Sequence, residues 1–204
     1  MSNSSTGIIE KNECRLNKQD GIGLEGNCDA TLKENYCEEN DGIGIFIFKT
    51  SSGTVENNIS RLNKCDGIRV DGNSNATITS NRCEGNALNG ITIYTSSTGI
   101  AAINTCCLNS QNGMFVGSNS CATLNCNHCE KNLYNGIVVI NSSTDALNNS
   151  CNLNKNYGIL FAETSSGTIY NNMCNLNKLE GIRVQIESTA TCTENSENGN
   201  SWGM

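Results

Sequence analysis

Apolar side chains in this chain fall in short runs that alternate with polar ones, and the runs recur at a fixed interval. Gly21-Ile22-Gly23-Leu24 returns 23 residues later as Gly44-Ile45-Phe46-Ile47 and again as Gly67-Ile68-Arg69-Val70. The Gly column continues through Gly90, Gly113, Gly136, Gly158 and Gly181, each followed by Ile or Met and, two positions on, by Ile93, Val116, Val139, Phe161 and Val184. A Ser column (Ser51, Ser74, Ser97, Ser120, Ser142, Ser165, Ser188) then introduces a second run of the form Ala/Gly-Thr-Ile-x-x-Asn. A third, shorter run centres on a Cys column. Period-two alternation in runs this short predicts strands, and none has the length or the 3.6 spacing of a helix.

Asn marks the corners. One column holds Asn12, Asn35, Asn58, Asn81, Asn104, Asn127, Asn149, Asn172 and Asn195; a second holds Asn17, Asn40, Asn63, Asn86, Asn109, Asn132, Asn154, Asn177 and Asn200. Both step by 23 residues, and both shorten once, to 22, in the same coil. A shared register of this kind is the mark of a repeat architecture. Asn tolerates left-handed backbone, and stacked amides about 4.8 Å apart can bond to one another, so the columns read as ladders at tight bends. The pattern predicts one all-β domain over residues 1–204: a right-handed parallel β-helix solenoid of about nine coils, with three short strands per coil. Charge columns agree with this register. Arg15-Glu38-Arg61-Glu84, Glu10-Lys33-Glu56 and Lys18-Asp41-Lys64 each alternate in sign, as cross-strand neighbours should.

Composition narrows the function. A net charge of -7 disfavours a nucleic-acid partner, and no stretch is apolar for long enough to span a membrane as a helix. The N-terminus lacks the basic and apolar regions of a secretory leader, which points to the cytoplasm, or to export if a leader has been removed. Of 13 Cys, Cys14, Cys37, Cys83, Cys106, Cys129, Cys151 and Cys174 share the third-run column, with Ser60 substituting once. They are expected to be buried free thiols packing as small hydrophobes, alternating inward with Leu16, Leu62, Leu108, Leu153 and Leu176. Disulfides between neighbours remain open as an alternative. A straight ladder does not supply a tetrahedron, and His128 is the single His, so no metal and no cofactor is expected.

The motif G-I-x-V-x-x-x-S-x-A-T-I-x-x-N-x-C-x-x-N resembles the parallel β-helix repeat of the pectate-lyase-like superfamily, including the NosD-like and F-box-type repeats. The resemblance covers essentially the whole chain and implies fold more than function, because its residues build turns and core. Enzymes of that superfamily carry polar clusters outside one sheet. The best such cluster here is Asp66, Arg69 and Asp71, with Asp20 and Glu25 nearby. It is read first as solvated surface charge and second as a weak catalytic candidate.

The outward face of the first strands offers more. Phe46, Phe48, Tyr94, Phe115, Val138, Ile140 and Leu160 are expected there, with an apolar strip running from Tyr94 to Ala162. Such a strip predicts an interface. The leading expectation is a non-catalytic scaffold or binding module that self-assembles or meets a protein through this face. The alternative is a carbohydrate-binding or polysaccharide-degrading protein, with sugars stacking on Phe46, Phe48, Tyr94 and Phe115. The chain opens mid-coil at Ser5–Ile9 and ends mid-coil at Trp202–Met204. Uncapped edges of this kind predict either head-to-tail stacking, a second route to a homo-oligomer, or that the chain is a block of a longer solenoid.

Overall fold

The computed structural model describes residues 1–201, which leaves Trp202, Gly203 and Met204 outside the described residues. Every regular element is a short strand. Each coil runs through a first strand (Ile22–Glu25), a second (Asp29–Lys33) and a third (Tyr36–Glu38), and then repeats. The chain enters on a second strand, Thr6–Glu10, where Ser5–Ile9 was expected to lie. Like strands stack in parallel into three sheets of eight, nine and seven strands. The registers pair residues one repeat apart, as in Ile45 with Ile68, Val55 with Ile78 and Cys83 with Cys106.

The core is a column through the middle of the rod. First strands send in Ile45, Ile68, Ile91 and Ile137; second strands send in Leu32, Val55, Ile78 and Leu124; third strands send in the Cys ladder. Each fully buried aliphatic contributes about 1.5–3 kcal/mol as an upper estimate. All thirteen cysteines are free thiols. Burial pushes the Cys106 and Cys151 thiols well above their ordinary range, and hydrogen bonds with neighbouring ladder thiols act in the same direction. Ser60 keeps its place in this column because its hydroxyl donates to Gly67 O (2.7 Å) and accepts from Asn63 Nδ2 (3.1 Å).

The leucines do not share that interior. Leu16, Leu62, Leu108, Leu153 and Leu176 are between 40% and 69% exposed, with φ from +55° to +59°. The corner after the third strand needs a left-handed residue, and that conformation interrupts the in–out alternation and turns the side chain outward.

Both expected Asn columns are hydrogen-bonded ladders. Asn58 donates its backbone N–H and its Nδ2 to Asn81 Oδ1, both at 2.9 Å, and Nδ2 also donates to Leu32 O at 2.9 Å. Each amide thus ties its corner both to the next Asn of the ladder and to a backbone carbonyl of the preceding coil. A third ladder, Asn89–Asn112–Asn135, was not anticipated. It runs with the opposite polarity, Asn112 donating back to Asn89 Oδ1 and Asn135 back to Asn112 Oδ1.

One of the charge columns closes in full: Asp41 bridges Lys18 (3.7 Å) and Lys64 (2.7 Å). In another, Glu38, almost wholly buried, bridges Arg15 and Arg61, while Glu84 pairs with Arg82 instead of Arg61. Burial pushes the Glu38 carboxyl up, but hydrogen bonds from Arg61 and Tyr36 and both guanidinium charges outweigh it and hold its pKa below the ordinary value.

One coil interface departs from the rest. Its second strands, Ser143–Leu147 and Ser166–Tyr170, pair at Ser143, Ala146 and Leu147, and the two positions between drop out of register. Other coils place Gly or Ala inward here (Ala30, Gly53, Ala76, Gly99, Ala122), whereas this one carries Thr144. The Thr144 hydroxyl is buried without a hydrogen-bond partner. Gly167, stacked next to it, adopts φ +144°, with Thr144 O only 1.8 Å from where a Cβ would stand. A side chain too large for the column has displaced its neighbour.

Candidate functional site

The outward face of the first-strand sheet gathers the candidate residues. Two columns run across it. Phe46, Arg69, Thr92, Phe115, Val138, Leu160 and Arg183 pair one after another. Beside them stand Phe48, Asp71, Tyr94, Gly117, Ile140 and Ala162.

Arg69 is the polar centre. Its Nε and Nη2 both donate to Asp71 Oδ2, at 3.0 and 2.6 Å, and Nη1 lies 3.5 Å from Asp66 Oδ2. The guanidinium also sits 5.5 Å from the centre of the Tyr94 ring, an attractive placement of a cation against a π system. Asp66 and Asp71 were expected to be solvated, but they are 1% and 8% exposed. The reason is visible in the third ladder. Asp66 Oδ1 accepts from both the backbone N–H and Nδ2 of Asn89 (2.9 and 3.0 Å), so a carboxylate that can only accept ends a ladder whose amides all donate toward it. Asp66 therefore ties the site to the corner, and Asp20 and Glu25 stand apart from the trio.

Aromatic side chains flank this centre on both sides. Phe46 and Phe48 leave the strand Ile45–Phe48 on the same face and stack with centroids 5.0 Å apart and planes 18° apart. On the other side Tyr94 and Phe115 meet at 5.8 Å with a 42° tilt. Glycines seat these rings. A Cβ on Gly117 would lie 2.7 Å from Phe115 and 3.1 Å from Tyr94, and one on Gly72 would lie 2.9 Å from Phe48. Neither Gly was singled out in the sequence; for Gly117 the signal was a Gly at an outward strand position next to aromatic neighbours, and for Gly72 a Gly in the turn after the strand. The two aromatic pairs begin two coils apart, about 10 Å at the usual strand spacing, and Arg69 and Asp71 occupy the floor between them.

Beyond Phe115 the face is apolar, yet narrower than expected. Val138 is 3% and Ala162 6% exposed, closed off by larger neighbours in their columns, while Ile140 and Leu160 stay half-buried. Charged groups at the margins are paired: Lys49 with Glu25 at 2.5 Å and Arg183 with Glu180 at 3.3 Å. His128 lies on the third-strand sheet, 3.2 Å from Glu130, away from this face. No cluster of three or more His, Cys, Asp or Glu suited to a metal ion occurs among the described residues.

Solved structures share the fold. The periplasmic alginate epimerase AlgG aligns with 95% of this chain and 51% of its own, at 18% identity and a TM-score of 0.82. The A-module of the Azotobacter vinelandii mannuronan C-5 epimerase AlgE6 aligns with 96% of this chain and 59% of its own, at 15% identity and a TM-score of 0.76. The chain thus spans about half to three-fifths of the length of these proteins, and at such identities the likeness is one of fold. No curated protein sequence matches it. The family model described as a right handed beta helix region matches residues 1–110, more than half of the 204-residue chain. The chain belongs to the right handed beta helix region family.

Proposed function

We propose that the first-strand sheet is a carbohydrate-binding face, with the sugar seated between the Phe46/Phe48 and Tyr94/Phe115 pairs over Arg69 and Asp71. The observation that carries this reading is the combination of aromatic flanks with a hydrogen-bonding floor. Sugar rings expose C–H groups with partial positive charge, which favour aromatic π systems, while their hydroxyls need both donors and acceptors. Arg69 supplies donors and Asp71 an acceptor, already oriented by each other. Pre-oriented polar groups in a mostly apolar setting are what a small-molecule site requires. That AlgG and AlgE6 are epimerases of alginate and mannuronan supports a carbohydrate ligand.

Asp66 and Asp71 hold Arg69 in this reading and do not act as an acid–base pair. A carbohydrate ligand also goes better with export than with the cytoplasm, in line with the periplasmic setting of AlgG. Calorimetric titration with a panel of soluble oligosaccharides tests the proposal. A Phe46→Ala/Tyr94→Ala double variant with an unchanged circular dichroism spectrum is expected to lose at least tenfold in affinity. Binding that the double variant keeps in full would remove the face from consideration.

The half-buried apolar side chains of Phe115, Ile140 and Leu160 favour a second reading, a contact with another protein or a second copy of this chain. Sedimentation of the wild type beside an Ile140→Asp/Leu160→Asp variant decides it: a monomeric wild type argues against self-association.

A further inference from the structure

We infer that this face selects uncharged glycans over polyuronates, because each cationic side chain on it is already held by a carboxylate of the same chain. The inference rests on the carbohydrate reading above and narrows it to a substrate class. Among the described residues the face and its margins carry three cationic side chains, Lys49, Arg69 and Arg183, and at its first coil the Met1 ammonium, which donates to Gly23 O at 2.7 Å. Glu25 pairs with Lys49, Asp71 and Asp66 with Arg69, and Glu180 with Arg183. Three cationic side chains thus meet four carboxylates.

An acidic glycan brings a carboxylate on each sugar, and binding it requires a cation free to pair with it. Here the incoming carboxylate would have to displace Asp71 from two short hydrogen bonds and then sit beside two buried acids, in a chain of net charge -7. Like charges brought together in a partly desolvated place repel strongly. A neutral sugar meets no such barrier. Its hydroxyls can accept from guanidinium N–H groups and donate to Asp71 without breaking the pair, and its ring rests against the aromatic flanks.

The two wall pairs add to this preference. Apolar rings lower the local dielectric around Arg69, which tightens its hold on Asp71 and makes exchange for a mobile ligand carboxylate less favourable. Lys49 follows the same logic at the rim, held by Glu25 and lying 5.3 Å from the centre of the Phe48 ring.

The experiment compares equal-length oligosaccharides, cellohexaose and mannohexaose against hexagalacturonate and hexamannuronate, by calorimetry at 20 mM and 200 mM NaCl. The wild type is expected to bind at least one neutral hexasaccharide tenfold or more tightly than either acidic one, with little change in salt. Asp71→Asn weakens the closest hold on Arg69, leaving Asp66 Oδ2 at 3.5 Å, and is expected to narrow that ratio below threefold by raising the acidic affinity. Because Asp71 is nearly buried, Glu25→Gln serves as a second variant that frees Lys49 at an exposed position, with a shift in the same direction. An acidic hexasaccharide bound as tightly as a neutral one by the wild type, with affinity falling steeply in salt, overturns the selectivity and leaves the carbohydrate reading standing. Failure of all four to bind overturns both.

Discussion

Thr144 shows how little room the interior leaves. Its methyl and hydroxyl occupy a column that otherwise holds Gly or Ala, and the hydroxyl finds no partner. An unsatisfied buried hydroxyl costs about 1–3 kcal/mol, and crowding adds to it. Thr144→Ala is therefore expected to stabilise the protein by about 1–2 kcal/mol, read as a rise in the urea midpoint. A midpoint that stays or falls would mean that the hydroxyl is satisfied in solution. The position was readable as inward from the repeat, but its cost was not, because a single Thr among Thr-rich strands carries no signal until its neighbours are placed. Asp66 teaches a similar lesson. In the sequence it is one of several Asp before a Gly; its role as the acceptor that ends a ladder depends on Asn89 lying one coil above it.

At the level of the strand, alternation was a sound guide wherever the backbone stayed extended and failed where it turned. Inward residues of all three strands were legible: Ile45 and Ile47, Val55, and the thiols of Cys37 and Cys83. The column of leucines was misassigned because a left-handed corner residue follows the strand directly, and nothing in the residue type announces it. Accessibility of the cysteines follows from the same geometry. Cys121, Cys126 and Cys192 are exposed, Cys14 and Cys65 half-buried, and the remaining eight buried. A thiol reagent that acts on the thiolate form should therefore label Cys121 and Cys126 quickly in the native protein, Cys14, Cys65 and Cys192, whose thiols burial pushes up, more slowly, and the others only after unfolding. Peptide mapping of the labelled sites checks this. Rapid native labelling of Cys106 or Cys129 would mean that the ladder opens.

For the molecule as a whole, each coil touches its neighbours and little else, so length and stability scale with coil number. Excising Asn104–Cys126, one full repeat, joins Ile103 to Asn127 and preserves every column. This variant is expected to fold, with an unchanged β-type circular dichroism spectrum and a rod shorter by about 4.8 Å. Excising only Asn104–Thr123 shifts the columns and should give an unfolded or aggregated product. If both deletions behave alike, residues one repeat apart are not what stacks. The rod was legible from the repeat because each of about eight turns states the same pattern. The candidate face was only partly so: outward positions could be listed, but the pairing of Arg69 with Asp71 and the ring seats at Gly72 and Gly117 depend on side-chain conformations that the repeat does not specify.

The irregular junction beside Thr144 also gives the rod a mechanical character. Backbone bonds of all three sheets point along the long axis, so a tensile load passes through the coil junctions in series and each bears the same force. Fracture begins where the bonds are fewest, between Ser143–Leu147 and Ser166–Tyr170. The larger fragment from such a break keeps Phe46, Arg69, Tyr94 and Phe115 together, so the proposed carbohydrate face would outlast the loss of the far end.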